Sequence, residues 1–311
     1  MKSDWWCKMI YITGDNHRDF QRFNHLNLND EDIMIILGDV GINYYLDEYD
    51  KKLKERLGKY NFKFFCIQGN HEERPENISS YHEVEMFGGQ VYIEDEYPNL
   101  IFAKNGELYN FNGKSVLVIG GAYSIDKDYR ITKGYPWFKN EQLSEFERKS
   151  ILEKYTGKHV DIILSHTCPF KYEPKESFKL SLPQELVDKS MEKYLDEVEE
   201  KINYDKWYCG HYHIEKNVDR LEFRFERIKN LENGEFIPKY DFRTGYEIVR
   251  DACSQDDELI CPVCNSKNIV IQKGEGHNIV GLDFIAIICN DCKKIYGYKD
   301  VKYKPNCPKE L

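Results

Sequence analysis

The run Met9-Ile10-Tyr11-Ile12-Thr13 is apolar and rich in β-branched residues, and it passes directly into Gly14-Asp15-Asn16-His17. A short run of this kind ended by glycine marks a buried strand. The glycine lets the backbone turn sharply and bring the next polar side chains to the sheet rim. The same grammar recurs along the chain. Ile33-Met34-Ile35-Ile36-Leu37 leads to Gly38-Asp39, and Lys63-Phe64-Phe65-Cys66-Ile67 leads to Gly69-Asn70-His71-Glu72. Val160-Asp161-Ile162-Ile163-Leu164 leads to Ser165-His166, and Trp207-Tyr208-Cys209 leads to Gly210-His211-Tyr212-His213. Ligand sites in α/β proteins form on loops beyond the carboxyl ends of the strands. These strand–loop units therefore predict an α/β fold with one polar site along one sheet edge.

The residue types in those loops suit metal ions. Imidazole and carboxylate together favour Mn, Fe, Zn or Ni over calcium, whose ligands are nearly all oxygen. Taken singly, each piece has a plainer meaning: an Asp after a strand usually caps a helix or holds a turn. His25, His82, His159 and His277 fall outside the motifs and are read in that plain way. The ordered occurrence of all the motifs is what the plainer meaning does not predict.

On these residues the chain resembles the calcineurin-like metallophosphoesterases. Their pattern is Asp-x-His, Gly-Asp, Gly-Asn-His-(Glu/Asp), a later His, and Gly-His-x-His, and it is met here between residues 9 and 228. The resemblance implies a four-layer α-β-β-α sandwich of two mixed sheets flanked by helices. By position it implies that Asp15, His17 and His213 hold one divalent ion, and that Asn70, His166 and His211 hold the other. Asp39 bridges them, and His71 faces the leaving group as general acid. The implied chemistry is attack on a phosphate ester by a hydroxide shared between two ions, with Mn favoured in vitro and no covalent enzyme intermediate. The implied substrate is a phosphate mono- or diester, a nucleotide or another small phosphorylated ligand. A phosphoprotein phosphatase, a DNA or RNA nuclease and an inactive binding scaffold are the alternatives.

Departures from the family pattern narrow this. The protein Ser/Thr phosphatase branch continues its second motif as Gly-Asp-x-x-Asp-Arg-Gly, whereas here Ile42 and Asn43 stand at the second Asp and the Arg. Arg18 stands where the first motif often has Gly, and its guanidinium matches phosphate geometry. A further block, Gly120-Gly121-Ala122-Tyr123-Ser124-Ile125-Asp126-Lys127 with Arg130 and Trp137-Phe138-Lys139-Asn140-Glu141-Gln142, looks like a bacterial and phage subgroup. The apolar run Ser115–Ile119 feeds it, which places Asp126 and Arg130 as substrate-cleft candidates.

The tail carries a second pattern. Cys261-Pro262-Val263-Cys264 and Cys289-Asn290-Asp291-Cys292 are two CxxC knuckles separated by 24 residues. Four thiolates on two tight turns suit a closed tetrahedral zinc site. Strand-like runs at Asn268–Gln272 and Ile279–Cys289, around Gly274-Glu275-Gly276, predict a zinc-stapled hairpin. The expected organisation is an extension at 1–8, a catalytic domain at 9–250, a linker at 251–258 and a zinc-ribbon-like domain at 259–311. Helices are expected over Leu46–Tyr60 and Pro183–Ile202 from periodicity and charge pattern.

Composition bounds the partners. The net charge of −10 lacks the long-range pull toward nucleic acid that a basic protein has. The tail, with 8 Lys/Arg against 9 Asp/Glu, is no basic patch either, so a protein partner for the ribbon is favoured over nucleic acid. No apolar stretch approaches the ~20 residues of a membrane span. Met1–Lys8 does not read as a secretory signal, and dispersed cysteines such as Cys66, Cys168 and Cys209 read as reduced thiols. Both point to the cytoplasm.

Overall fold

The computed structural model describes residues 8–24, 26–178, 184–237, 264, 266–275, 283–291 and 295–300. The chain divides into two units, Met1–Pro238 and Lys239–Leu311. His25, His277, Cys261, Cys292 and the expected linker at 251–258 lie outside the described residues, as does the expected N-terminal extension apart from Lys8.

The first unit begins with β1 (Ile10–Thr13), β2 (Ile33–Ile36), α1 (Glu48–Leu57), β3 (Lys63–Cys66), β4 (His82–Met86) and β5 (Gly89–Ile93). It continues with β6 (Leu100–Ala103), β7 (Leu108–Phe111), β8 (Lys114–Ile119), α2 (Lys127–Lys133), α3 (Glu145–Tyr155) and β9 (His159–Ser165). It closes with α4 (Ser190–Lys201), β10 (Asn203–Cys209), β11 (Lys216–Val218), β12 (Leu221–Phe223) and β13 (Lys229–Asn230). One sheet has the order β13-β1-β2-β3-β6-β5-β4 and the other β11-β12-β10-β9-β8-β7. The central strands β1-β2-β3-β6 and β12-β10-β9-β8 are parallel, and antiparallel strands flank each set, so both sheets are mixed.

Side-chain alternation builds the layers. Ile10, Ile12, Ile33 and Ile35 on one face pack with Val116, Val118, Ile162 and Leu164 between the sheets. Met34, Ile36 and Phe64 on the opposite face meet Leu53 and Leu57 of α1. On the far side of the second sheet, Leu117, Ile163 and Trp207 meet Ile151 of α3 and Met191, Leu195 and Val198 of α4. The result is the expected α-β-β-α sandwich. It explains why the strand runs are apolar throughout: both faces are covered, and each fully buried aliphatic side chain contributes about 1.5–3 kcal/mol.

The helices depart from the sequence reading. α1 lies inside the expected span, capped by Asp47, which accepts from the Tyr49 N–H. The helix expected over Pro183–Ile202 begins only at Ser190, preceded by a separate 3-10 turn at Gln184–Leu186. Asp188 accepts the Ser190 N–H at 2.8 Å and so satisfies the new N-terminus from outside it. α2 and α3 were not foreseen. α3 is started by a capping box between Ser144 and Glu147 and buries only Ile151 and Tyr155, too few to create an apolar period.

In the second unit β14 (Ile269–Glu275), β15 (Asp283–Cys289) and β16 (Ile295–Asp300) form an antiparallel sheet in that order. The expected hairpin thus gains a third strand. Gly274 pairs with Phe284 inside the ladder instead of standing in the turn. Among the described residues no helix is long and apolar enough to cross a membrane.

Candidate metal centre

The loops after β1, β2, β3, β9 and β10 converge closely, and in all but the β9 loop a glycine stands where a side chain would clash. A Cβ on Gly69 would stand 2.1 Å from both the backbone nitrogen and Oδ1 of Asp39. Backbone bonds then fix the first loop on the second: the Asn16 and His17 N–H groups donate to the Asp39 carbonyl at 3.1 and 2.8 Å. His17, Asp39, His211 and His213 all adopt positive φ (44°, 48°, 69° and 52°). Such backbone costs on the order of 1–3 kcal/mol per residue and persists only where the surroundings over-determine it.

Two groups of ligand atoms result. Asp15, His17 and His213 form one, and Asp15, Asp39 and His166 form the other, with the atoms of each group lying within 4.8 Å of one another. In the first, Nε2 of His17 and Nε2 of His213 face each other at 2.9 Å. In the second, Nε2 of His166 lies 2.9 Å from Oδ1 of Asn70. Asp39 reaches both, with Oδ1 3.4 Å from His166 Nε2 and Oδ2 3.7 Å from His17 Nε2. His211 belongs to neither tight group. Its ring stands 5.0 Å from that of His166, and its backbone N–H donates to both oxygens of Asp15 at 3.0 Å. His71 donates its backbone N–H to Asp39 Oδ1 at 2.9 Å and sets its ring edge-on to His17 at 5.2 Å. His82 and His159 sit outside the site, paired with Asp95 and Asp205.

The electrostatics fit cations. Asp15, Asp39, Asn70 and His166 are buried, and His166 Nε2 lies 2.9 Å from Asn70 Oδ1 and 3.4 Å from Asp39 Oδ1. Burial pushes Asp15 up to about 6. Burial also works against Asp39, yet the ring charges of His166, His71 and His17 hold its carboxyl well below the usual range. Burial lowers His213 to about 4, helped by His17, and lowers His71, helped by Arg130 and His17. Burial opposes protonation of His166 as well, but Asp39 and Asp15 raise it to about 9. A buried cluster this short of positive charge is one that divalent ions complete.

The substrate candidates fare differently. Arg18 is committed to loop structure: its guanidinium pairs with Asp50 and donates to the carbonyls of Gly41 (2.6 Å) and Tyr49 (3.1 Å). Arg130 is only 2% exposed and donates to Ser124 Oγ at 3.1 Å. Asp126 is half-exposed beside it, 4.0 Å away.

Two supporting residues escaped the sequence reading. Glu72, wholly buried, accepts from the N–H groups of Val40, Gly41 and Gly69 at 3.4, 3.2 and 3.1 Å, tying the second ligand loop to the third. Burial pushes its carboxyl up to about 8, against those donors. Its place after His71 in the motif was the available signal. Half-buried Arg22 donates to the carbonyls of Gly14 and Phe225 at 2.6 and 3.0 Å and holds the Asn16 amide. Nothing local in the sequence marks it.

A model of the calcineurin-like phosphoesterase family matches residues 8–215, more than half of the chain. The chain belongs to the calcineurin-like phosphoesterase family. Membership implies metal-dependent hydrolysis of phosphate esters, and the two ligand groups of this phosphoesterase lie within the matched span. Comparison with curated proteins gives no match.

Proposed function

We propose that this phosphoesterase hydrolyses small phosphate esters, nucleotides foremost, at a centre of two divalent ions. Asp15, His17 and His213 would hold one ion, Asn70, His166 and His211 the other, and Asp39 both. The observation that carries this is Asp39, which turns one carboxylate oxygen to each ligand group. Such ions, when bound, supply a water pKa lowered from about 15.7 toward 7 and positive charge against the phosphoryl oxygens. The chain itself supplies position and a proton. His71 is anchored through Asp39 and stands beside His17, ready to protonate the departing oxygen. Burial lowers its pKa while the Asp39 charge beside it works the other way.

The leaving-group side supports a planar substrate. The Tyr44 ring lies within 20° of the His71 plane at 6.4 Å, and Tyr45 meets Tyr44 edge-on at 4.7 Å. Tyr45 and Tyr49 are 47% and 69% exposed. The lip is preformed, since buried Asp50 accepts the Tyr45 and Leu46 N–H groups at 2.8 and 2.7 Å. Base–aromatic stacking is worth ~1–3 kcal/mol. Changing Tyr44 and Tyr45 to Ala together should therefore raise KM for a nucleotide about tenfold and leave KM for glycerol phosphate unchanged. Equal changes for both substrates would remove the stacking role. Absence of any Mn-dependent turnover in the wild type would favour a non-catalytic scaffold. Buried Ile42 and Asn43, both 0% exposed, leave no phosphate grip of the protein-phosphatase kind.

For the tail, the reading is a zinc held by Cys261, Cys264, Cys289 and Cys292. Sγ of Cys264 lies 3.5 Å from Sγ of Cys289. A disulfide would bring them to about 2.05 Å. Thiolates sharing a tetrahedral zinc at about 2.3 Å stand ~3.8 Å apart. Elemental analysis should find one tightly held zinc, lost from Cys264→Ser/Cys289→Ser protein; a metal content unchanged by that substitution would refute the site.

A further inference from the structure

In the block Gly120–Gln142, the buried members Ser124, Arg130 and Glu141 lie behind Asn70. The peptide N–H of Gly121 donates to the carbonyl of Gln68 at 2.9 Å, and that of Ala122 to the carbonyl of Glu141 at 3.1 Å. These bonds deliver Ser124 to the side chain of Asn70. Asn70, Ser124, Arg130 and Glu141 are each between 1% and 3% exposed, so bulk water does not decide how they pair.

Asn70 poses a choice. The two ends of its amide have the same shape, but only Oδ1 can ligate a cation, because the nitrogen is a donor. We propose that Ser124, held by Glu141 and Arg130, is a positioning residue that turns the Asn70 carbonyl oxygen, and not its nitrogen, toward His166 and Asp39. The inference rests on the metal-centre reading above.

Hydrogen accounting carries it. The Ser124 hydroxyl has one hydrogen and two lone pairs. Glu141 Oε2, 2.5 Å away, belongs to a carboxylate whose other partners, the Ser124 N–H at 3.0 Å and Trp137 Nε1 at 2.9 Å, are both donors. The hydroxyl hydrogen therefore goes to Glu141. Arg130 Nη1, at 3.1 Å, is a donor only and takes one lone pair. What remains for Asn70, 2.9 Å away, is the other lone pair, which requires the amide nitrogen on that side. The oxygen then faces His166 Nε2 at 2.9 Å. His166 Nδ1 lies 2.7 Å from the Leu37 carbonyl, an acceptor only, so one ring hydrogen sits there and Nε2 is the nitrogen whose lone pair a cation would take in place of a second hydrogen. With a cation there, Asn70 Oδ1, His166 Nε2 and Asp39 Oδ1 would all turn lone pairs to it. With the amide reversed, its nitrogen would donate to Nε2 and close the position to a cation. Ser124 opposes that reversal.

The experiment is Mn²⁺ binding to the full-length protein, followed by calorimetry and by the EPR signature of a coupled Mn pair. Ser124→Ala should weaken the Asn70–His166 position by 10–100-fold, the usual cost of losing a partner behind a ligand. An uncoupled Mn signal from the other position should remain. Glu141→Gln should act in the same direction, since a donated amide hydrogen frees the serine hydrogen to bond Asn70 Oδ1 and favours the reversed amide. In an Asn70→Asp background the ligand has two equivalent oxygens, so Ser124→Ala should cost less than about threefold there. Equal losses in the wild-type and Asn70→Asp backgrounds, or wild-type affinity in Ser124→Ala, would overturn the role of Ser124. Failure of the wild type to bind a Mn pair at all would instead overturn the metal-centre reading and this inference with it.

Discussion

Asp39→Asn is expected to abolish Mn-dependent phosphoester hydrolysis, by at least about 10³-fold, the scale on which loss of one charge-stabilising group acts in hydrolases. The substitution is nearly isosteric. The amide oxygen can still accept the His71 N–H now bonded at 2.9 Å, so the third loop should keep its place. What disappears is the charge, together with one of the two oxygens now turned to His166 and His17 at 3.4 and 3.7 Å. Stability of the metal-free protein should respond as well. His166 is raised from 6.5 to about 9 against the opposing effect of burial, chiefly by Asp39. A histidine raised in this way contributes stability that is complete below pH 6.5 and is lost as pH rises through about 9. Denaturant midpoints of the metal-free wild type should therefore fall across that window, and those of Asp39→Asn should fall less. Retained turnover, or an undiminished pH slope, would separate Asp39 from the role given to it.

Gly38→Ala is expected to cost about 3 kcal/mol or more of stability and to disable the site, because two penalties coincide. Gly38 has φ +90°, where an L side chain is strained, and a Cβ there would stand 2.1 Å from Nδ1 and 2.6 Å from Cγ of His166. His166 cannot give way easily: it is 0% exposed and bonded to the Leu37 carbonyl at 2.7 Å. Gly113 provides the control. It has φ +84° with nothing within 4 Å of the added carbon, so Gly113→Ala carries the backbone penalty alone, about 1 kcal/mol. The difference between the two unfolding free energies measures the clash with His166. If the two substitutions cost the same, close packing of the second and fourth loops is not what requires glycine at position 38.

The parts of this fold legible in sequence are those governed by local rules. Runs such as Ile33–Leu37 and Val160–Leu164 are apolar at nearly every position because the sandwich covers both faces of each sheet. A glycine-polar pair after such a run, as at Gly38-Asp39, marks a strand end at the rim. Helices were less legible. α3 starts from a two-residue capping box and buries too little apolar surface to show a period, and α4 begins six residues after Gln184 because Asp188 interrupts the chain just before it. In the tail, Gly274 reads as a turn but pairs within a ladder, since neighbouring strands can outvote a residue's own preference.

The sequence by itself determined the reaction class, through the identity and order of Asp15, His17, Asp39, Asn70, His71, His166, His211 and His213. Those residues act by their chemistry, and chemistry is written in residue type. Tertiary structure alone decided how they are held. Glu72 binds the loops after β2 and β3 through three backbone donors, and Arg22 locks the first loop onto Phe225. Arg18 reads as a phosphate grip and Arg130 as a cleft residue, and the fold pairs the first with Asp50 and buries the second. A side chain's partners depend on which distant backbone is brought within about 3 Å of it, the reach of a hydrogen bond. No local pattern carries that distance.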